Sequence, residues 1–507
     1  MLYQYPDVMK NKIIVNTKQA MLCALVFLLT LKVDASDKID TLKIKWDVQI
    51  MLSKTTPTLQ LVENPMVRKS PIHEATFKAL KDLNADYVRY VPWFPYPKLA
   101  VAELKPPSGG KTYWDFKLLD STMAALMEAT KGHSVVINFS TTPVWMWKTG
   151  WVVNYPDDPY QTGWDYNQGT ELRDTSMKEV ATYYARLLSW YTRGGFTDEL
   201  GQFHKSGHFY KIPYWEVLNE PDLEHNISVQ LYTKMYDAIV TEMKKVSPDT
   251  KFIGMSLAFE SHPEYFEYFL NPKNHKPNVP LEGISYHHYS LPSWREQPLD
   301  AYQYTFFEKA EGFLDKVRYI ENIRKRLAPQ TFTTINEIGT ILGAETLPIP
   351  DNYWNLSGAM YAHMFLELTK IGIDVAGESQ LVGYPSQFPD VSMINWKNGN
   401  PNARYWVLKL LIESFGQGDR LVSTLYGDSQ GGNGSMDFQA FVTKKGKRLL
   451  LINKLNKEKE IVLPAEAKGS LVRSVDVTTG ENPPVSVQLA DNKITLKPFS
   501  VTVIELK

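Results

Sequence analysis

Tyr214-Trp215-Glu216-Val217-Leu218-Asn219-Glu220-Pro221 is a largely apolar run that closes on an amide, a carboxyl and a proline. Its first five residues read as a strand, so Asn219 and Glu220 stand at the strand's carboxyl end. The same pattern, an apolar stretch ending in polar or aromatic residues, recurs at Asp86 to Val91, Ser134 to Phe139, Lys251 to Met255, Gly283 to Tyr286, Thr331 to Ile335 and Ile371 to Ala376. Thr58 to Val62 supplies an eighth strand ahead of them. Helical spacing fills the intervals at Asp174 to Tyr191, Ser228 to Lys245 and Phe306 to Arg326, and a further helix should open with Ser70 as N-cap and Pro71 as its first residue. Alternation over roughly 360 residues fits a (β/α)8 barrel with long loops better than an open doubly wound sheet. No GxGxxG or phosphate-binding loop follows the first strand, so nucleotide binding has no motif in its favour.

The helical pattern stops after about Gly418. Short strands then follow at Phe438 to Val442, Arg448 to Ile452, Glu460 to Leu463, Leu471 to Val477, Val485 to Leu489 and Ser500 to Leu506, which reads as a C-terminal β-sandwich. Ahead of the barrel, Leu42, Ile44, Trp46, Val48 and Ile50 alternate with polar residues, a strand with one buried face. A closed barrel has no place for it, so it should pair into the sandwich. The expected division is an N-terminal strand over 36–56, a barrel over 57–418 and a sandwich over 419–507.

Hydrophobic residues at 43% and charged residues at 22% of the 507 describe a globular chain with a buried core. A formal net charge of -1 offers no field for a polyanion, so nucleic acid is not an expected partner. The 13 Trp and 28 Tyr are an excess suited to stacking on sugar rings. Lys10, Lys12 and Lys18 precede an apolar run from Ala20 to Leu31 and the small-residue site Val33-Asp34-Ala35, which reads as a signal peptide over 1–35, with Met9 an equally good start. The run is shorter than the roughly 20 residues of a membrane span, although an uncleaved anchor is the alternative. Cleavage would remove Cys23, the sole cysteine, and leave a secreted, periplasmic or lysosomal protein without disulfides or a membrane anchor.

Barrel active sites lie where the strands end. Glu220 ends strand four, and Thr333-Thr334-Ile335-Asn336-Glu337 places Glu337 at the end of strand seven. Those ends face one another across the mouth, the arrangement a retaining glycosidase needs: carboxyls about 5 Å apart, one to attack the anomeric carbon and one to protonate the leaving oxygen.

Asn219-Glu220-Pro221 and Glu337 resemble the acid/base and nucleophile signatures of the retaining (β/α)8 glycoside hydrolase clan. Val136 to Met146 and Trp215 to Asp222 are similar to glycoside hydrolase family 39, which includes β-xylosidases and α-L-iduronidases. The resemblance implies a secreted retaining glycosidase in which Glu220 is general acid/base, Glu337 nucleophile, and Asn219 the amide that bonds the sugar 2-hydroxyl. It also makes Arg89 the cation beside the nucleophile and Tyr289 the hydroxyl that bonds it. Family 39 members often carry Thr-Glu where this chain has Asn336-Glu337, which leaves the role of Glu337 intact but weakens any transfer of substrate specificity.

Around this pair the sequence offers further candidates. One of His287 and His288 should meet sugar hydroxyls, since a strand sends neighbours to opposite faces. The same alternation argues against a shared metal, and neither a metal nor an organic cofactor is expected. Glu216, four residues before Glu220, reads as a buried structural carboxylate. Glu378, with Gln380 and Trp396 in the loop after strand eight, binds substrate or tethers its loop. Trp93, Trp145 and Trp147 follow strands two and three, where their rings either stack on sugar or pack. Sequons at Asn226, Asn355 and Asn433 matter only in a eukaryotic secretory pathway, and a fourth, Asn138-Phe139-Ser140, lies in a barrel strand and should stay unmodified. The expected partner is a carbohydrate, as oligosaccharide, polysaccharide or glycoconjugate. A non-catalytic carbohydrate-binding barrel is the competing reading, against which both carboxyls stand.

Overall fold

The computed structural model describes residues 41–163, 169–293, 297–342, 349–350, 352–385 and 388–507. The signal-peptide expectation, Cys23 included, lies outside the described residues. No helix among them is long and apolar enough to cross a membrane.

Eight parallel strands close into a barrel, running in chain order as Thr56–Val62, Val88–Val91, Val135–Ile137, Tyr214–Glu216, Lys251–Leu257, Gly283–Ser290, Phe332–Thr340 and Val375–Glu378. The eighth pairs back onto the first, from Val375↔Thr56 to Glu378↔Leu59. Strands six and seven run past the points, Tyr286 and Ile335, where their apolar pattern stops. Their extensions hold His287, Tyr289, Asn336 and Glu337 within the ladder, because polar side chains that satisfy one another can be buried at a barrel mouth. Strand four ends earlier than its apolar run. Leu218 and Glu220 adopt left-handed φ angles of 64° and 41°, which turn the chain over the mouth at a cost of about 1–3 kcal/mol each.

Strand seven also carries a bulge. Its register against strand six jumps between Ile335 and Glu337, and against strand eight between Ile335 and Ile338. An extra residue breaks the alternation of faces, so consecutive Asn336 and Glu337 both reach inward.

Helices Lys178–Thr192, Val229–Val246 and Leu299–Leu327 correspond to the three expected, although the first begins after Asp174, at Lys178, and the third well before Phe306, at Leu299; the Ser228 hydroxyl oxygen caps the second by accepting from Leu231 N at 3.3 Å. The helix expected at Ser70 starts later, as His73–Leu83 with Ile72 at its N-cap. The Ser70 hydroxyl instead donates back to Met66 O at 2.7 Å, which leaves both Ser70 and Pro71 in the preceding turn.

The amino-terminal strand Leu42–Leu52 pairs antiparallel with Arg420–Tyr426, a strand the sequence pattern did not single out. From there one sheet runs through Met436–Thr443, Gly446–Asn453, Val501–Leu506 and Leu471–Val475 to Ser486–Gln488. A two-stranded sheet, Lys459–Val462 with Lys493–Leu496, forms the second layer of the sandwich. Leu42, Val422, Phe438, Leu449, Ile461 and Leu496 share the core between these layers. The opposite face packs on barrel helices, with the Phe441 ring 4.5 Å from that of Phe415. Covering both faces explains why Leu449-Leu450-Leu451-Ile452 is apolar without alternation. At about 1.5–3 kcal/mol per fully buried large apolar side chain, this double coverage is a large share of the sheet's stability. The buried face expected on Leu42–Leu52 is only partly realised. A register shift after Lys45 leaves Val48 and Ile50 45% and 47% exposed.

Candidate active site

The site is assembled on a buried carboxylate. Glu216 is fully buried and accepts from Arg89 Nε at 2.5 Å, Asn138 Nδ2 at 2.6 Å, Asn336 Nδ2 at 2.7 Å and the Ser285 hydroxyl. Four donors hold it in place, as the sequence reading of a structural carboxylate requires.

Arg89 spans from this floor to the mouth. Its NH1 donates to Glu337 Oε1 at 2.5 Å and Gln60 Oε1 at 2.6 Å, and its NH2 to Asn219 Oδ1 at 2.6 Å and Ser256 Oγ at 3.0 Å. A guanidinium 1% exposed is tolerable only when its donors are met in this way.

Glu337 also accepts from the Tyr289 hydroxyl at 2.7 Å, on Oε2. Glu220 follows the left-handed turn, anchored by its backbone N–H to Ser256 O at 2.8 Å, and its Oε1 is 2.8 Å from His287 Nδ1. One oxygen each of Glu220 and Glu337 and one ring nitrogen of His287 all lie within 4.8 Å of one another. The environment drives the two carboxyls apart. Burial raises Glu220, and the neighbouring carboxylates Glu337 and Asp222 raise it further, against the opposing His287. Burial would raise Glu337 too, but the charges of His287 and Arg89 and the bonds from Tyr289 and Arg89 outweigh it and hold Glu337 below its ordinary value. The same surroundings thus favour the proton on Glu220 and the anion on Glu337.

The three clustered donors are close enough to share a cation. Yet Glu337 already carries the Arg89 guanidinium and Glu220 the His287 ring, so a dication would meet a positive charge at bonding distance.

Other expected residues lie elsewhere. His288 points away from the barrel axis, with its ring stacked 4.4 Å from Phe313, its Nε2 3.0 Å from Ser290 Oγ, and its pKa driven down to about 3 by burial. Alternation sends His287 inward and His288 outward. Glu378 is fully buried and paired with Arg404 Nε at 2.9 Å; burial lifts it to about 7 against that cation. It is the last residue of strand eight and not part of the loop after it, and its pairing with Arg404 ties that strand end to the helix Ala403–Ser414. Trp145 packs beside the core and donates Nε1 to Glu103 O at 2.9 Å. Trp147 is fully buried and stacked 4.1 Å from His225. Trp396 lines a second cavity.

The mouth opens into a cavity of about 1100 Å³ whose walls include Trp93, Glu224, Tyr289 and Gln380 beside Glu220 and Glu337. Glu224 escaped the sequence reading. It sits one helical turn beyond Glu220, and its Oε1 accepts from Trp93 Nε1 and Asn219 Nδ2, both at 2.9 Å. Burial, then the Glu220 charge, raise it well above the ordinary carboxyl value. Gln60 was missed as well, although a lone amide within Thr58-Leu59-Gln60-Leu61-Val62 was a visible signal.

No protein-family model and no curated relative matches the chain. Among solved structures, it is similar to the GH51 arabinofuranosidase from Xanthomonas axonopodis pv. citri, with a TM-score of 0.64 and 13% identity over 92% of this chain and 99% of that one. The catalytic domain of GH30 xylanase C from Talaromyces cellulolyticus gives a TM-score of 0.59 and 12% identity over 92% and 100% of the two chains. A conserved exported protein from Bacteroides fragilis gives 0.62 and 12% over 92% and 99%. At such identities the likeness is one of fold, a barrel with its attached sheets.

Proposed function

We propose that this protein is a retaining glycoside hydrolase acting by double displacement. The observation that carries the reading is the Glu220–Glu337 pair, with oxygens within 4.8 Å and pKa values moved in opposite directions. A separation near 5 Å suits direct attack, whereas inversion needs about 6.5–9.5 Å to admit a water between carboxyl and sugar. Glu337 attacks the anomeric carbon while Glu220 gives its proton to the departing glycosidic oxygen. That C–O bond breaks and a glycosyl ester forms on Glu337. Glu220, now ionised, takes a proton from a water that attacks the same carbon and releases the ester. Arg89 and Tyr289 hold the nucleophile ionised and oriented. The Asn219 amide gives one N–H to Glu224 and keeps its second for the sugar 2-hydroxyl.

The family 39 resemblance supports a β-xylosidase-like specificity, and the arabinofuranosidase and xylanase names of the structural neighbours support a carbohydrate substrate. The leader at Ala20 to Leu31 supports secretion, as does the exported neighbour. Neither a metal nor an organic cofactor takes part in these steps. The test is a panel of chromogenic β-xylosides, α-L-arabinofuranosides and β-glucosides, with the first-formed anomer read by NMR. Hydrolysis with retention is expected; inversion, or no hydrolysis of any member, overturns the proposal.

A further inference from the structure

Trp396 belongs to a second cavity, of about 930 Å³, whose walls include Trp354, Asn355, Asn395, Lys397 and Glu481. Two segments of the chain contribute to the walls of both cavities. The segment after strand seven gives Ile341 to the mouth and Ile349 and Asn352 to the second cavity. The segment after strand eight gives Gln380, Phe388 and Val391 to the mouth and Asn395, Trp396 and Lys397 to its neighbour. Both segments lead into helices, Tyr353–Ile371 and Ala403–Ser414, that begin on the mouth side of the barrel. The two cavities therefore draw on the same two adjacent segments of the chain.

The second cavity is held in shape by its own hydrogen bonds. Glu481, from the sandwich, accepts from the side-chain amides of Asn395 at 2.5 Å, Asn398 at 3.0 Å and Asn400 at 2.9 Å. Trp406 Nε1 donates to the Glu481 backbone carbonyl at 3.2 Å. The loop closes on itself through Asn395 N to Asn400 O at 2.8 Å. In the wall, Asn355 is only 5% exposed and its Nδ2 has no partner among the described residues. A buried amide donor normally finds an acceptor, so Asn355 stands in this wall with an unmet polar group. Its burial in a helix also makes Asn355 a poor glycosylation site.

Indole rings beside side-chain amides form a surface that takes the apolar face of a sugar ring and its hydroxyls together. We propose that this cavity is an accessory binding site for a neutral oligosaccharide segment, with Trp354 and Trp396 stacking on its rings and Asn355 meeting a hydroxyl. The binding site stands on its own geometry; only the idea that it holds a chain also entering the mouth rests on the glycosidase reading.

The full-length Glu337→Gln protein, isotope-labelled at its indole nitrogens, is titrated with xylotetraose, arabinotetraose and cellotetraose. At least one probe should shift the Trp354 and Trp396 indole N–H signals along a saturation curve separate from that of Trp93. Trp396→Ala or Trp354→Ala in the same background should weaken that curve about tenfold and leave the Trp93 curve in place. In the active protein both substitutions should leave kcat/KM on a small chromogenic glycoside unchanged and raise KM on the polymer. Unshifted Trp354 and Trp396 signals with all three probes overturn the proposal without recourse to any variant, and so does a curve that survives both substitutions. Hydrolysis without the second curve removes this inference alone, whereas a second curve without hydrolysis of any glycoside removes the glycosidase reading alone.

Discussion

Arg89 Nε meets Glu216 Oε2 at 2.5 Å beneath the mouth, and the same guanidinium reaches Glu337 at 2.5 Å. One cation thereby serves two carboxylates, of which only Glu337 lines the cavity.

Arg89→Lys should move the acid limb of kcat/KM to higher pH. A lysine cannot fork across Gln60, Glu216, Asn219 and Glu337, so Glu337 loses stabilisation of its anion and its depressed pKa rises. A displacement of about one pH unit is expected. An unmoved acid limb in an active variant would show that Arg89 does not tune Glu337.

Glu220→Gln and Glu337→Gln should each lower kcat by about three orders of magnitude or more while the fold persists. Azide should partly rescue Glu337→Gly by forming a glycosyl azide of inverted configuration. Near-normal turnover in either Gln variant would remove that residue from the mechanism.

Glu224 has no catalytic step in this scheme but orders two residues of the cavity. Glu224→Ala leaves Trp93 Nε1 and Asn219 Nδ2 without their acceptor, and KM should rise about tenfold. Glu224→Gln keeps an oxygen for both donors and should stay close to the parent. Equal KM in the Ala and Gln variants would contradict this.

The His363 pair should make stability fall in alkaline solution. His363, on the helix under the sheet, has Nδ1 2.7 Å from Asp437 Oδ2; burial alone would lower its pKa, but Asp437, with Glu311, lifts it to about 9. Lys454 Nζ, 3.0 Å from Asp437 Oδ1, opposes part of that rise. A raised folded pKa gives stability that is complete below the unfolded value near 6.5 and is lost as pH climbs through about 9. About 3 kcal/mol is at stake. Thermal melts from pH 6 to 9 should fall more steeply for the parent than for His363→Gln; parallel slopes would refute the linkage.

Truncation after Asp419 should yield insoluble protein. It strips Leu42–Leu52 of its partner strand and uncovers Phe415 and the helix bearing His363. A soluble, active barrel would instead identify the sandwich as a detachable module.

The eight barrel strands were legible because each carries a run of core residues, and Glu220 and Glu337 because each follows such a run. Less legible was anything set by pairing instead of hydropathy. Arg420–Tyr426 mixes Ser423 and Thr424 among its apolar residues, and only its neighbours on both sides show it to be a strand. Lys493–Leu496 is shorter, at four residues, and as mixed. His287 and His288 are identical as letters, and the register of strand six separates them. Trp145 and Trp396 looked alike as loop aromatics, and both pack against the barrel core, yet Trp396 also lines the second cavity, a difference decided by loops whose paths leave no periodic trace.

The pairing of Leu42–Leu52 with Arg420–Tyr426 also imposes an order in time. Synthesis at about 5–20 residues per second separates the two strands by roughly 20–70 seconds, during which the earlier one has no native partner. The amino-terminal strand must therefore wait for the sandwich sheet, with Val48 and Ile50 still outward-facing at the end. Any cellular factor that guards this chain during synthesis has its first task at that strand.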